Sequence, residues 1–174
     1  MQSLVWTNVI RLSHWLIAAG VILDWLNETG YWHRVIGYGC LLMVVLRVIY
    51  GVMSKIPSAR FYLPGFTQMK THLQDVALGK AHVGTGHNPL GQWAVYAMWL
   101  LIGLLAFTGW ISRTELYWGE DAPVDLHRLL STLLMYMVIL HVFSVVLMSY
   151  LTRQNLIKQM LTGKQSSLSE NDHE

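Results

Sequence analysis

Apolar residues in this chain run on for long stretches rather than alternating with polar ones. Four such stretches, Val9 to Asn27, His33 to Met53, Pro89 to Ser112 and Val124 to Thr152, carry few charges. An α-helix rising about 1.5 Å per residue needs ~20 residues to cross ~30 Å of hydrocarbon, so the pattern predicts four transmembrane helices. Between the second and third stretches the period changes. Phe66, Met69, Leu73, Val76 and Ala77 recur at helical spacing, with Gln68, Lys70, Asp75 and Lys80 largely on other sides. That spacing predicts a short amphipathic helix on the membrane surface. Asn88 followed by Pro89 supplies a start for the third span, with Asn as N-cap and Pro at the first helical position, where its missing N–H is harmless.

After Gly163 the sequence turns short and polar, ending Ser-Glu-Asn-Asp-His-Glu. With no apolar pattern to form a core, residues 165–174 are expected to be a disordered tail in which His173 is idle. Residues 1–164 then form one four-helix domain, and the expected class is an all-α integral membrane bundle. Composition agrees, since 53% of residues are apolar and 13% charged, against about 25% charged in soluble domains. Many of the Trp and Tyr residues, among them Trp6, Trp25, Tyr31, Trp32, Trp93, Tyr117, Trp118 and Tyr150, fall near the span ends, where amphipathic rings suit the headgroup layer. The first apolar run continues past Ala18-Ala19-Gly20 and is expected to be a retained helix rather than a cleaved signal.

Charge sets the expected orientation. Lys55, Arg60, Lys70 and Lys80 occupy the second loop and Arg153, Lys158 and Lys164 follow the fourth span, whereas the third loop holds Glu115, Glu120, Asp121 and Asp125 against Arg113. The positive-inside rule therefore places both termini and the second loop in the cytoplasm. No basic patch suited to nucleic acid is evident. Cys40, the single cysteine, lies inside a span, which excludes an internal disulfide, a CxxC zinc site and covalent haem attachment through CxxCH.

The chemistry lies in the histidines. Ionisable groups within spans are expensive and normally face the protein interior for a purpose. The first helix runs outward and places His14 roughly 8 Å from its cytoplasmic start. The fourth runs inward and carries His141 about 21 Å beyond His127, so His14 and His141 share the inner half. His33 and His127 open the second and fourth spans and share the outer half. The fourteen residues from His127 to His141 turn a helix to within about 40° of the same face, so one face offers a ligand at each of two depths. Low-spin haem takes two strong axial ligands, and imidazoles from facing helices fill both. Two non-covalent b haems follow, with iron held by His14 and His141 near the inner face and by His33 and His127 near the outer.

Arginine binds carboxylates through paired hydrogen bonds. Arg34 and Arg128, beside the outer histidines, and Arg11 and Arg47, near the inner ones, are the expected propionate partners. Gly37, Ser131 and Ser144 leave room beside the ligands for a flat macrocycle. His72 and His82, in the inner loop, are expected to be ordinary solvated residues, whereas His87 stands at the inner haem level beside the Asn88 cap.

Arg11-Leu12-Ser13-His14-Trp15, His33-Arg34-Val35-Ile36-Gly37-Tyr38, Gly86-His87-Asn88-Pro89-Leu90-Gly91 and Leu140-His141, in that order, resemble the bacterial cytochrome b561 superfamily, including the b-type subunits of nickel-iron hydrogenases. The similarity spans residues 6–164. It implies a di-haem electron carrier of the bacterial inner membrane that exchanges electrons with quinone, and it matches His14, His33, His127 and His141 to haem ligands. The resemblance leaves His87 open, as a propionate or quinone contact or as a ligand in place of His14. The implied redox partner is a periplasmic c-type cytochrome or a dehydrogenase subunit. Two competing functions remain at this stage. A superoxide-to-quinone oxidoreductase needs a cationic approach to the outer haem, against which the acidic third loop argues. A histidine-based metal transporter needs carboxylates along its path, for which Asp24 alone is a candidate.

Overall fold

A computed structural model of the chain describes residues 5–56, 59–78 and 89–164. Its helices are α1 (Asn8–Leu26), α2 (Gly30–Met53), α3 (Phe66–Ala77), α4 (Pro89–Ile111), α5 (Asp121–Thr152) and α6 (Leu156–Thr162), with a 3-10 turn over Glu115–Tyr117. There is no strand among the described residues. α1, α2, α4 and α5 are each long and apolar enough to cross a membrane. The protein is a multi-pass, all-α membrane bundle. The end where α1 begins and α5 finishes is termed the near face, and the end where α2 and α5 begin the far face.

Local chemistry sets the helix ends. The Thr7 side chain accepts from the Ile10 N–H and caps α1. Only residues 27–29 separate α1 from α2, and Gly30 opens α2 at φ +97°, a conformation that glycine adopts without steric penalty. This tight link starts α2 three residues ahead of the apolar run. α5 also starts early, at Asp121, because its first turn places an acid at the positive end of the helix dipole and Pro123 where no intrahelical N–H is needed. At the near face Arg153 takes a left-handed conformation and ends α5. Asn155 then caps α6 by accepting from Lys158 N–H at 2.9 Å.

α1 packs on α2, α2 on α4, α4 on α5, α3 on α4, and α6 on α5. Neither α1 with α5 nor α2 with α5 belongs to these closely packed pairs, so α5 joins the bundle chiefly through α4. Cys40, Val44, Ile102 and Leu134 form the buried centre, surrounded by residues including Ile17, Val21, Ile36 and Val138. Large apolar side chains such as Leu42, Val52, Leu100 and Ile139 are exposed, as expected where lipid tails replace a protein core.

The near face is closed by α6 and the chain start. Val5 and Trp6 donate to the Gly163 carbonyl at 2.8 and 3.3 Å, and Val5, Trp6, Ile10 and Ala59 cluster against Tyr50 and Met160. Gly163 has φ +79°, and a Cβ there would meet the Trp6 carbonyl oxygen at 2.9 Å, so glycine both ends α6 and lets the two segments touch. The segment before α3 is pinned to α4, with Trp93 Nε1 donating to Pro64 O at 3.2 Å and Tyr96 Oη to Tyr62 O at 2.9 Å.

Candidate haem sites

Toward the far face, His33 in the first turn of α2 meets His127 of α5 with ring centroids 5.9 Å apart. Each ring is held from behind. His33 Nδ1 lies 3.0 Å from the Asn27 carbonyl oxygen, to which its N–H donates, leaving Nε2 with a free lone pair. His127 Nδ1 lies 2.9 Å from Thr108 Oγ1. The Thr108 hydroxyl is itself within 2.9 and 3.1 Å of the Leu104 and Leu105 carbonyls. Its proton is therefore spent on a carbonyl, and it accepts from His127 Nδ1–H, which again frees Nε2. Thr108 is only 3% exposed, so this bond has no competing solvent. A Cβ on Gly109 would stand 3.3 Å from His127 Cε1, so that glycine gives the ring its space.

Toward the near face, His14 of α1 meets His141 of α5 with centroids 6.4 Å apart. His14 Nδ1 is buried and has no hydrogen-bond partner among the described residues. The Ser144 hydroxyl, one turn beyond His141, donates back to Leu140 O at 2.7 Å.

Two imidazoles on opposite sides of one metal, each nitrogen about 2 Å from it, place their ring centroids about 6 Å apart. Both pairs have that spacing. Both also bridge helix pairs that are not among the closely packed ones, where a macrocycle needs its width. Among the described residues no three His, Cys, Asp or Glu side chains converge as a bare ion would require. Paired histidines supply the two donors that a porphyrin's four nitrogens leave to the protein. The far pair opens on a cavity whose deeper wall is apolar, with Ile102, Leu105, Leu134 and Met135, and which also has Arg34, Arg113 and Glu28 in its lining. That mixture suits a flat apolar ring bearing carboxylates.

The expected arginines divide. Arg34 lines the far cavity. Arg128 is exposed, pairs with Asp125 at 3.2 Å and is not part of the cavity lining; Arg113, counted from the sequence only as a charge, is. Arg47 is buried, donates to Ala59 O at 3.3 Å and lies over the Tyr50 and Trp99 rings. Arg11 donates to the Met160 carbonyl at 3.3 Å, to that of Leu161, and to Asn8 Oδ1 at 3.0 Å, so it closes the end of α6. His72 lies on α3. His82, His87, the Asn88 cap and the 165–174 tail lie outside the described residues. Thr108 and Gly109 were not anticipated. No spacing rule reveals them, because their partner His127 is on another helix.

Paired histidines between the helices of a membrane-spanning bundle are the architecture of a b-type cytochrome. The chain matches the family described as prokaryotic cytochrome b561 over residues 5–163 and belongs to that family. It is accordingly a membrane b-type cytochrome of electron transfer. No curated protein and no solved structure matches the chain.

Proposed function

We propose that the protein is a di-haem cytochrome that passes single electrons across the bacterial inner membrane, between the quinone pool and a redox partner. The partner is a periplasmic c-type cytochrome or a dehydrogenase or hydrogenase subunit. The observation that carries the proposal is the pair of centroid distances, 5.9 and 6.4 Å, at two levels of α5. In this reading His14 and His141 hold the near haem, and His33 and His127 the far one. Haem, when bound, supplies a reversible one-electron couple at iron. The chain supplies the rest. Thr108 and the Asn27 carbonyl fix the far imidazoles with Nε2 available, the apolar wall excludes water, and Arg34 and Arg113 offer cationic hydrogen-bond donors for propionates. The excess of Lys and Arg in the second loop and after α5 supports a cytoplasmic near face with both termini on that side.

The test is the dithionite-reduced minus oxidised spectrum of purified protein with haem counted per chain, on wild type, His141→Ala and His127→Ala. Two haems of b type in wild type and one in each variant are expected. A wild type that remains haem-free when expressed with ample haem would refute the proposal.

A further inference from the structure

Asp24 lies in the last turn of α1, within a span, where an ionisable group is costly and normally has a purpose. Its Oδ1 is buried, makes no hydrogen bond among the described residues, and stands 3.1 Å from His33 Nδ1. The N–H of that ring points at the Asn27 carbonyl, so the carboxylate flanks the imidazole and acts on it by charge. Room for it comes from Gly37, where a Cβ would stand 3.2 Å from Asp24 Oδ2. The space expected from the sequence to admit a macrocycle is thus next to an acid. At the near face, His14 Nδ1 has no such neighbour among the described residues.

We propose that Asp24 is a positioning residue that sets the potential of the far haem through His33. The proposal rests on the assignment of His33 as an axial ligand. With the ring oriented by the Asn27 carbonyl, a carboxylate beside a metal-bound imidazole favours the Nδ1–H tautomer through its charge and makes the bonding nitrogen a stronger donor. Ferric haem carries one more positive charge than ferrous haem, so the added donation and the nearby anion both stabilise the oxidised state. Asp24 therefore holds the far haem at a lower potential than the same site would have with a neutral side chain there.

The experiment is spectroelectrochemical titration of the purified holoprotein as wild type, His33→Ala and Asp24→Asn. Loss of one midpoint in His33→Ala identifies the far haem; retention of both would overturn the ligand assignment itself. In Asp24→Asn that midpoint is expected to rise by a tenfold change in the one-electron equilibrium, about 59 mV, while the other stays in place. If His33→Ala loses a haem but Asp24→Asn leaves both midpoints unmoved, the inference fails and the di-haem reading stands. Should the Asn variant fail to retain the far haem, wild type labelled with 13C-aspartate decides by redox-difference infrared spectroscopy. A carboxylate band that shifts as the haem lost in His33→Ala is reduced supports the inference, and its absence overturns it.

Discussion

Replacing Thr108 with valine removes one buried oxygen beside His127. The side chain is 3% exposed, and its hydroxyl is the acceptor for His127 Nδ1–H at 2.9 Å. Valine keeps the branched shape, so packing between α4 and α5 should persist while the imidazole N–H loses its buried hydroxyl acceptor. An orphaned buried donor costs about 1–3 kcal/mol, or about 5–150-fold in binding, which brackets the roughly 10–100-fold typical for loss of an outer-shell partner of a metal-bound histidine. The assay is the rate and extent of haem transfer from the holoprotein to an excess of an apo-acceptor, followed spectrally. One haem of the two should leave 10–100-fold more readily in Thr108→Val, whereas Thr108→Ser, which keeps the hydroxyl, should stay close to wild type. Unchanged retention in the valine variant, or weakening of the haem lost in His141→Ala, would refute the tautomer argument.

Two further outcomes are expected. Gly109→Ala places a methyl group 3.3 Å from His127 Cε1, so the ring must turn by a few tenths of an ångström. The electron paramagnetic resonance signal of the far ferric haem should shift while that of the near haem does not, and an unchanged spectrum would mean that the ring has slack. Arg11→Ala removes charge-assisted bonds to the carbonyls at the end of α6 and should destabilise that docking by about 1–2 kcal/mol. Hydrogen exchange over 156–163 should accelerate with both haems retained; loss of the near haem instead would place Arg11 at a propionate.

The parts of the fold legible in the sequence are those that follow from local, periodic causes. A span announces itself because every residue along it must tolerate lipid. His14 and His141, and likewise His33 and His127, meet across the helices at the depths that counting 1.5 Å per residue gives. The rest depends on pairings between elements. Thr108 in isolation looks like any threonine bonding back to its own helix, which it also does. Arg11 and Arg47 are expected propionate partners because counting along the spans puts them near the level of the inner histidines. Their guanidinium groups also satisfy carbonyls of α6 and of Ala59, acceptors in place only once the chain has folded back. α6 spans seven residues, too few to show a period, and its position follows from the left-handed turn at Arg153.

α5 contributes a histidine to both pairs, and this makes it a ruler. The interval from His127 to His141 is set by covalent geometry and one uninterrupted hydrogen-bond ladder, not by how neighbouring helices lean. Inserting or deleting one residue between them would swing His141 about 100° around the axis and aim it away from α1, even if every side chain remained apolar. The number of residues in 128–140 is therefore fixed more strictly than the identity of those that face away from the buried centre. Length conservation in that interval, rather than residue conservation, is the signature by which homologues with the same paired geometry should be recognised.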